Sequence, residues 1–171
     1  MKKLLVVFGA LLIASAAPMV AAAADTKAKD EAEIRAFEQR FAAAYKAKDI
    51  NAIMAGYVPD ESLFVFDVVP PRAYVGAKAF RKDWEDFFAA FPGPVETFDI
   101  SDLSIMTDGN LGVSHSVQRA VLTDKDGKKV DITLRVTDVY RKIKGKWLIV
   151  HEHVSVPVDL NTGKADFSAK P

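Results

Sequence analysis

Four ionisable side chains stand where strand alternation calls for apolar ones: Asp67, His115, Asp138 and Glu152, with Arg119 beside them. Alternate residues of a strand point to opposite faces. Between Lys129 and Lys142 the even positions Ile132, Leu134, Val136 and Tyr140 are apolar and enclose Asp138. Between Lys146 and Val158 the even set Leu148, Val150, Val154 and Val156 encloses Glu152. Leu111, Val113, Val117 and Val121 share a face with His115 and Arg119, and Leu63 and Val65 share one with Asp67. A charge in an apolar face is costly unless it is paired or its pKa moves. Around a cavity, such groups can pass protons to or from a ligand. The competing structural reading is an ion-pair network of Arg119 with Asp138 or Glu152, or simple exposure at the sheet ends.

On the opposite face of the last strand lie His151 and His153, with Arg135, Thr137 and Ser155 as a polar ridge. Two His at i and i+2 can bind a transition metal if a third ligand converges. His115, the remaining His, reads to the other face, so no metal site is expected. If a bulge reverses the strand parity, the ridge becomes the pocket, and His151, His153 and Arg135 become its ligand-binding residues. No Cys is present, which excludes disulfides and thiolate chemistry. Phosphate-binding glycine loops, nucleophile elbows and dinucleotide fingerprints are also missing, so no cofactor is implied. With 23 basic and 23 acidic residues, neither nucleic acid nor an anionic membrane is indicated as partner.

The elements that must position these residues run helices first and strands afterwards. Ile34, Phe37, Phe41 and Tyr45 make the stripe of a helix with one buried face, and Asp30, Glu31 and Glu33 suit its first turn. Asp49 can cap a short second helix carrying Ile50, Ile53, Met54 and Tyr57. Ser62 to Val68 reads as a strand broken by Pro70-Pro71. A third helix carries Phe80, Trp84, Phe87, Phe88 and Phe91, aromatics of a core, and stops at Pro92-Gly93-Pro94. Strands follow over Val95 to Met106, Leu111 to Leu122, Lys129 to Lys142 and Lys146 to Val158, with hairpin turns at Asp124 to Gly127 and Lys144-Gly145. Helices followed by an antiparallel meander make an α+β domain over residues 30–158, with a loose tail over 159–171.

The run Arg40 to Asp49, Tyr74-Val75-Gly76 ahead of the third helix, Arg135 to Lys142, and above all Gly145 to Pro157 carry a family likeness. The sequence resembles the SnoaL-like branch of the nuclear transport factor 2-like superfamily, shared with ketosteroid isomerase. It is also similar to the association domain of calcium/calmodulin-dependent kinase. The likeness implies a cone of curled sheet around helices, a pocket at the open end and dimerisation through the sheet. It implies functions from isomerase and dehydratase to pure binding and assembly, so fold locates the site better than it names the chemistry. Ketosteroid isomerases place an oxyanion-donating tyrosine on the first helix, and Phe41 holds that position here. Their catalytic base falls near Asp67 and their second acid near Thr137 or Asp138. Losing the tyrosine argues against steroid isomerisation itself.

The chain opens with Lys2 and Lys3, an apolar run from Leu4 to Ala17 and Ala21-Ala22-Ala23-Ala24, the pattern of a signal peptide cut before Asp25. The run is shorter than the ~20 apolar residues a membrane span needs. The expected address is periplasmic or secreted, with no membrane partner after cleavage. Three functions are then open. The first is a binding or accessory module, motivated by the missing first-helix tyrosine and the lack of a complete catalytic set, whose pocket takes a small, largely apolar ligand through Tyr74, Arg119 and Glu152. The second is a proton-transfer enzyme using Asp67 with His115 or Asp138. The third is an oligomerisation module, with a homodimer formed through the sheet.

Overall fold

The computed structural model describes residues 17–168, with side chains from residue 24 onward. The expected signal peptide, residues 1–24, lies mostly outside the described residues. The first helix, α1 (Ala17–Ala47), starts ahead of the Asp30 expected from the apolar stripe. Its alanine-rich first half has high intrinsic helix propensity and continues the helix outward. The stripe itself is buried as expected: Ile34, Phe37, Phe41 and Tyr45 all belong to the core. Asp49 caps α2 (Ile50–Met54), accepting from Ala52 N at 2.9 Å.

Strands β1 (Phe64–Phe66) and β2 (Tyr74–Val75) are short and flank the Pro70-Pro71 loop. Next comes α3 (Ala77–Ala90), whose Phe80 and Phe88 are buried and whose Trp84 packs edge-on against Phe41 and Tyr45. The meander then runs through β3 (Val95–Asp108), β4 (Leu111–Thr123), β5 (Lys129–Ile143) and β6 (Lys146–Ser155). These strands form a six-stranded sheet in the order β2-β1-β6-β5-β4-β3. β1 pairs parallel with β6, Phe64 against His151 and Val65 against Glu152. The α+β, curled-sheet architecture expected from the sequence is the one observed.

Two strands depart from simple alternation. Tyr140 pairs with Ile149 and Val139 with His151, so Val150 is the extra residue of a bulge in β6. A bulge exchanges the two faces of a strand. Trp147 and Ile149 therefore point into the core before it, and Glu152 and Val154 after it. The expectation that Leu148 and Val150 cover the helices is corrected by this bulge, while Glu152 keeps its inward place.

In β4 the parity is the reverse of the sequence reading. Gly112, Ser114, Ser116, Ala120 and Leu122 face inward and are buried, while His115 and Arg119 point outward and are exposed. Apart from Leu122 the inner row is small or polar, because Ile34 of α1 packs against Gly112 and a cavity lies over Gln118 and Ala120. The valines that suggested an inner face are half-buried on the outside of the sheet. Residues 159–168, expected to be part of a loose tail, are tied back to the domain. Val158 bridges Ala165, and Phe167 O accepts from Thr133 N at 2.7 Å, past the point where β6 ends.

Candidate functional site

A cavity of about 420 Å³ opens between α1, α3 and the inner face of the sheet. Phe41 and Tyr45 of α1 and Phe80, Trp84 and Phe87 of α3 form its aromatic wall. The sheet contributes Phe98, Ala120, Leu134 and Val136, and Phe167 of the tail sits at its edge. Trp84 Nε1 is buried in this wall without a partner among the described residues, so a ligand acceptor can satisfy it.

Carboxyls interrupt this apolar surface. Asp67 follows β1, half-buried, and its Oδ1 accepts from Val68 N at 2.6 Å. It faces Asp83 of α3, whose Oδ1 accepts from the Tyr74 hydroxyl at 2.6 Å. Tyr74 also donates to Pro70 O at 3.1 Å, so it braces the Asp83 side of the site instead of lining the cavity. Burial, and then the neighbouring Asp83, push the Asp67 carboxyl up to about 6. Asp83 is raised by burial and by Asp86.

Glu152 lines the cavity from β6, and its Oε2 accepts from the buried Tyr57 hydroxyl at 2.6 Å. Burial, followed by Asp67 and Glu38, pushes it up to about 7. Asp138 sits behind Glu152, its cross-strand partner, and is 2% exposed. Its Oδ1 is buried with no hydrogen-bond partner among the described residues. Burial and the Glu152 and Glu38 charges raise Asp138 well above the usual carboxylate range. Glu38 completes the group, accepting from the Tyr140 hydroxyl, which lies 3.1 Å from Ser114 Oγ and 3.4 Å from Asp138 Oδ2. Among the described residues, no lysine, arginine or histidine takes part in this network. The arrangement is a cluster of buried carboxyls, each raised above the usual carboxylate range by burial, with one member, Glu152, at the cavity surface.

Of the residues singled out in the sequence, Asp67 and Glu152 line the cavity and Asp138 stands directly behind. His115 and Arg119 do not belong to it. Arg119 makes a two-pronged pair with Asp131 at 2.9 and 2.7 Å on the outer face, so it balances neither Asp138 nor Glu152. His151 and His153 lie on the outer face as read. His151 Nδ1 is 2.8 Å from Phe64 O, and both rings pack against Phe66. Among the described residues, no group of His and acids is arranged to hold a metal.

Glu38 and Asp83 were missed. Both were detectable by helical spacing: Glu38 falls four residues after Ile34, and Asp83 lies three after Phe80 and four before Phe87.

Residues 34–159 match the SnoaL-like domain family. The chain belongs to the SnoaL-like family. Among solved structures, this SnoaL-like chain is similar to a nuclear transport factor 2-like protein of unknown function from Pseudomonas putida, with 31% identity and a TM-score of 0.75 over 84% of this chain and 98% of the other. A second is a putative calcium/calmodulin dependent protein kinase II association domain from Xanthomonas campestris, at 27% identity and TM-score 0.58 over 86% and 91% of the two chains. A ketosteroid isomerase-like protein from Erwinia carotovora, at 21% identity and TM-score 0.62 over 74% and 95%, shares the fold. A comparison with curated protein sequences gives no match.

Proposed function

We infer that this SnoaL-like domain is an exported binding module that holds a small, largely apolar molecule in the aromatic cavity. The observation that carries this reading is the 420 Å³ cavity itself, walled by α1 and α3 aromatics and by the inner sheet. Volumes of roughly 300–1,000 Å³ with a few placed polar groups are typical of small-molecule sites. Trp84 stands in the wall, so its fluorescence reports occupancy. Titration with a neutral bicyclic aromatic should quench that emission saturably. Leu134→Trp, which fills the cavity from β5, should abolish the quenching while the circular dichroism of the fold is kept. Unsaturable quenching that the filled variant leaves unchanged would sink the reading.

A proton-transfer enzyme is the second reading, favoured by Asp67. A carboxyl held at about 6 beside an apolar cavity is suited to general-base work near neutral pH. His115 drops out as its partner, and Glu152, backed by Asp138, takes that place. Under this reading Asp67→Asn lowers turnover by about 10²–10⁴-fold. Under the binding reading it changes affinity alone.

Two further expectations accompany the inference. Protein recovered from a bacterial periplasm should begin at or near Asp25; intact Met1 on soluble cytoplasmic protein would contradict export. The outer sheet face, where Phe64 and Phe66 lie among His151, His153 and Arg135, is the surface for a homodimer. Light scattering should give twice the chain mass, and His153→Asp should shift it toward monomer.

A further inference from the structure

The charge pattern of the cavity narrows the ligand class. Asp67, Asp83, Asp86 and Glu152 all line it, and among the described residues no lysine, arginine or histidine does. Lys82 pairs with Asp86 on the solvent side of α3, and the Lys48 ammonium is held by the carbonyls of Phe91 and Gly93. The other groups facing Asp67 are Asp83 of α3, Tyr45 of α1, Tyr74 of β2 and Glu152 of β6, and none supplies positive charge. With Asp86 paired to Lys82, the wall still carries Asp67, Asp83 and Glu152 with no basic partner among the described residues.

The aromatic lining supplies the second half of the argument. Trp84, Phe87, Phe41 and Tyr45 line the cavity, and the faces of aromatic rings attract cations in desolvated sites. Aromatic walls with acids among them are chemically matched to an apolar body bearing a positive head.

We propose that the cavity selects lipophilic cations, meaning an aromatic or alicyclic body carrying a protonated amine or quaternary ammonium, over neutral and anionic molecules of the same shape. This rests on the binding-module reading above. A bound cation favours the ionised form of Asp67 and Glu152, so uptake expels protons from the site. An anionic head meets the opposite: it gains from no partner and raises the acids further.

Three probes of one body test this: trimethyl(1-naphthylmethyl)ammonium, 1-naphthylmethanol and 1-naphthylacetate, titrated by calorimetry at pH 8 and pH 5. The ammonium keeps its charge at both, so any pH dependence belongs to the protein. At pH 8 the ammonium should bind at least about tenfold tighter than the alcohol, a difference of about 1.4 kcal/mol, with the carboxylate weakest. At pH 5, where Asp67 and Glu152 hold their protons, that preference should shrink toward unity. Heats measured at about pH 6.5, between the two carboxyl values, in two buffers of different ionisation enthalpy should show proton release with the ammonium alone. Asp67→Asn should reduce the ammonium-to-alcohol ratio, and Glu152→Gln gives the same readout where the first variant fails to fold. An alcohol equal to or tighter than the ammonium at pH 8, or a carboxylate tightest of the three, overturns the cation preference and leaves the binding reading standing. If none of the three binds, both fall.

Discussion

Thermal stability should be greatest in mild acid and should fall as pH rises from about 4.5 to 7.5, opposite to ordinary acid denaturation. The unfolded chain ionises its carboxyls in the usual range near 4. The folded chain retains protons on Glu152 up to about 7, and Asp138 and Glu38 are shifted in the same direction by burial. The folded state therefore binds more protons than the unfolded state across this window, and stability declines as pH climbs through it. For Glu152 alone, a rise from 4.5 to about 7 corresponds to ~3 kcal/mol. That converts to a melting temperature lower by on the order of 10 °C for a chain of this size. Asp60 and Asp166 are lowered by hydrogen bonds to Ser62 and Ser168, but they are fully exposed and oppose the trend little. Glu152→Gln keeps the Tyr57 hydrogen bond while removing the titration, so its stability curve should be flatter. Asp138→Asn should be tolerated and even stabilising at pH 8, since Arg119 is occupied by Asp131 and no partner is stranded. A melting temperature that climbs steadily from pH 5 to pH 8 would contradict the buried-acid account.

Helix stripes and hairpin turns carried most of the fold, because each buries one face at a regular period. Ile34, Phe37, Phe41 and Tyr45 on α1, and the α3 aromatics, fell where the 3.6-residue period put them. Asp138 and Glu152 were legible as site candidates through the two-residue period of β5 and β6. The β6 reading was correct for Glu152 only because the bulge at Val150 restored the parity that its first half had reversed. A bulge leaves no residue signature in that stretch. β4 misled for a different reason. Its outer valines are partly covered on the sheet surface, whereas its inner face needs small side chains beneath α1 and around the cavity. Hydrophobicity follows burial, and here the tightest burial excluded large apolar groups. Phe167 lies far along an aperiodic tail, and only the free backbone of Thr133 beyond the end of β6 explains its return.

Gly112 shows how that close approach controls the site, and replacing it should disturb the packing of α1 on the sheet. A Cβ at this position would lie 2.8 Å from Ile34 Cδ1, with the Trp147 ring at 3.4 Å and Tyr140 Cβ at 3.5 Å behind it. Ile34 has no exposed surface, so its side chain cannot swing to solvent. Gly112→Ala must therefore either strain Ile34 or lift α1 from β4, at a cost of about 1–3 kcal/mol. Gly112→Val should exceed that and lower expression of folded protein. The direction of the displacement matters for function, since α1 also carries Phe41 and Tyr45, two walls of the cavity. A lifted helix widens the gap to Trp84, weakening both the edge-on ring contacts and the grip on any apolar ligand. Ile34→Val removes the terminal methyl that the new Cβ would strike, so the double variant Gly112→Ala, Ile34→Val should recover part of the lost stability and ligand affinity together. Additive losses in the double variant, measured by denaturant unfolding, would show that the two residues are not in contact and that α1 is seated by other means.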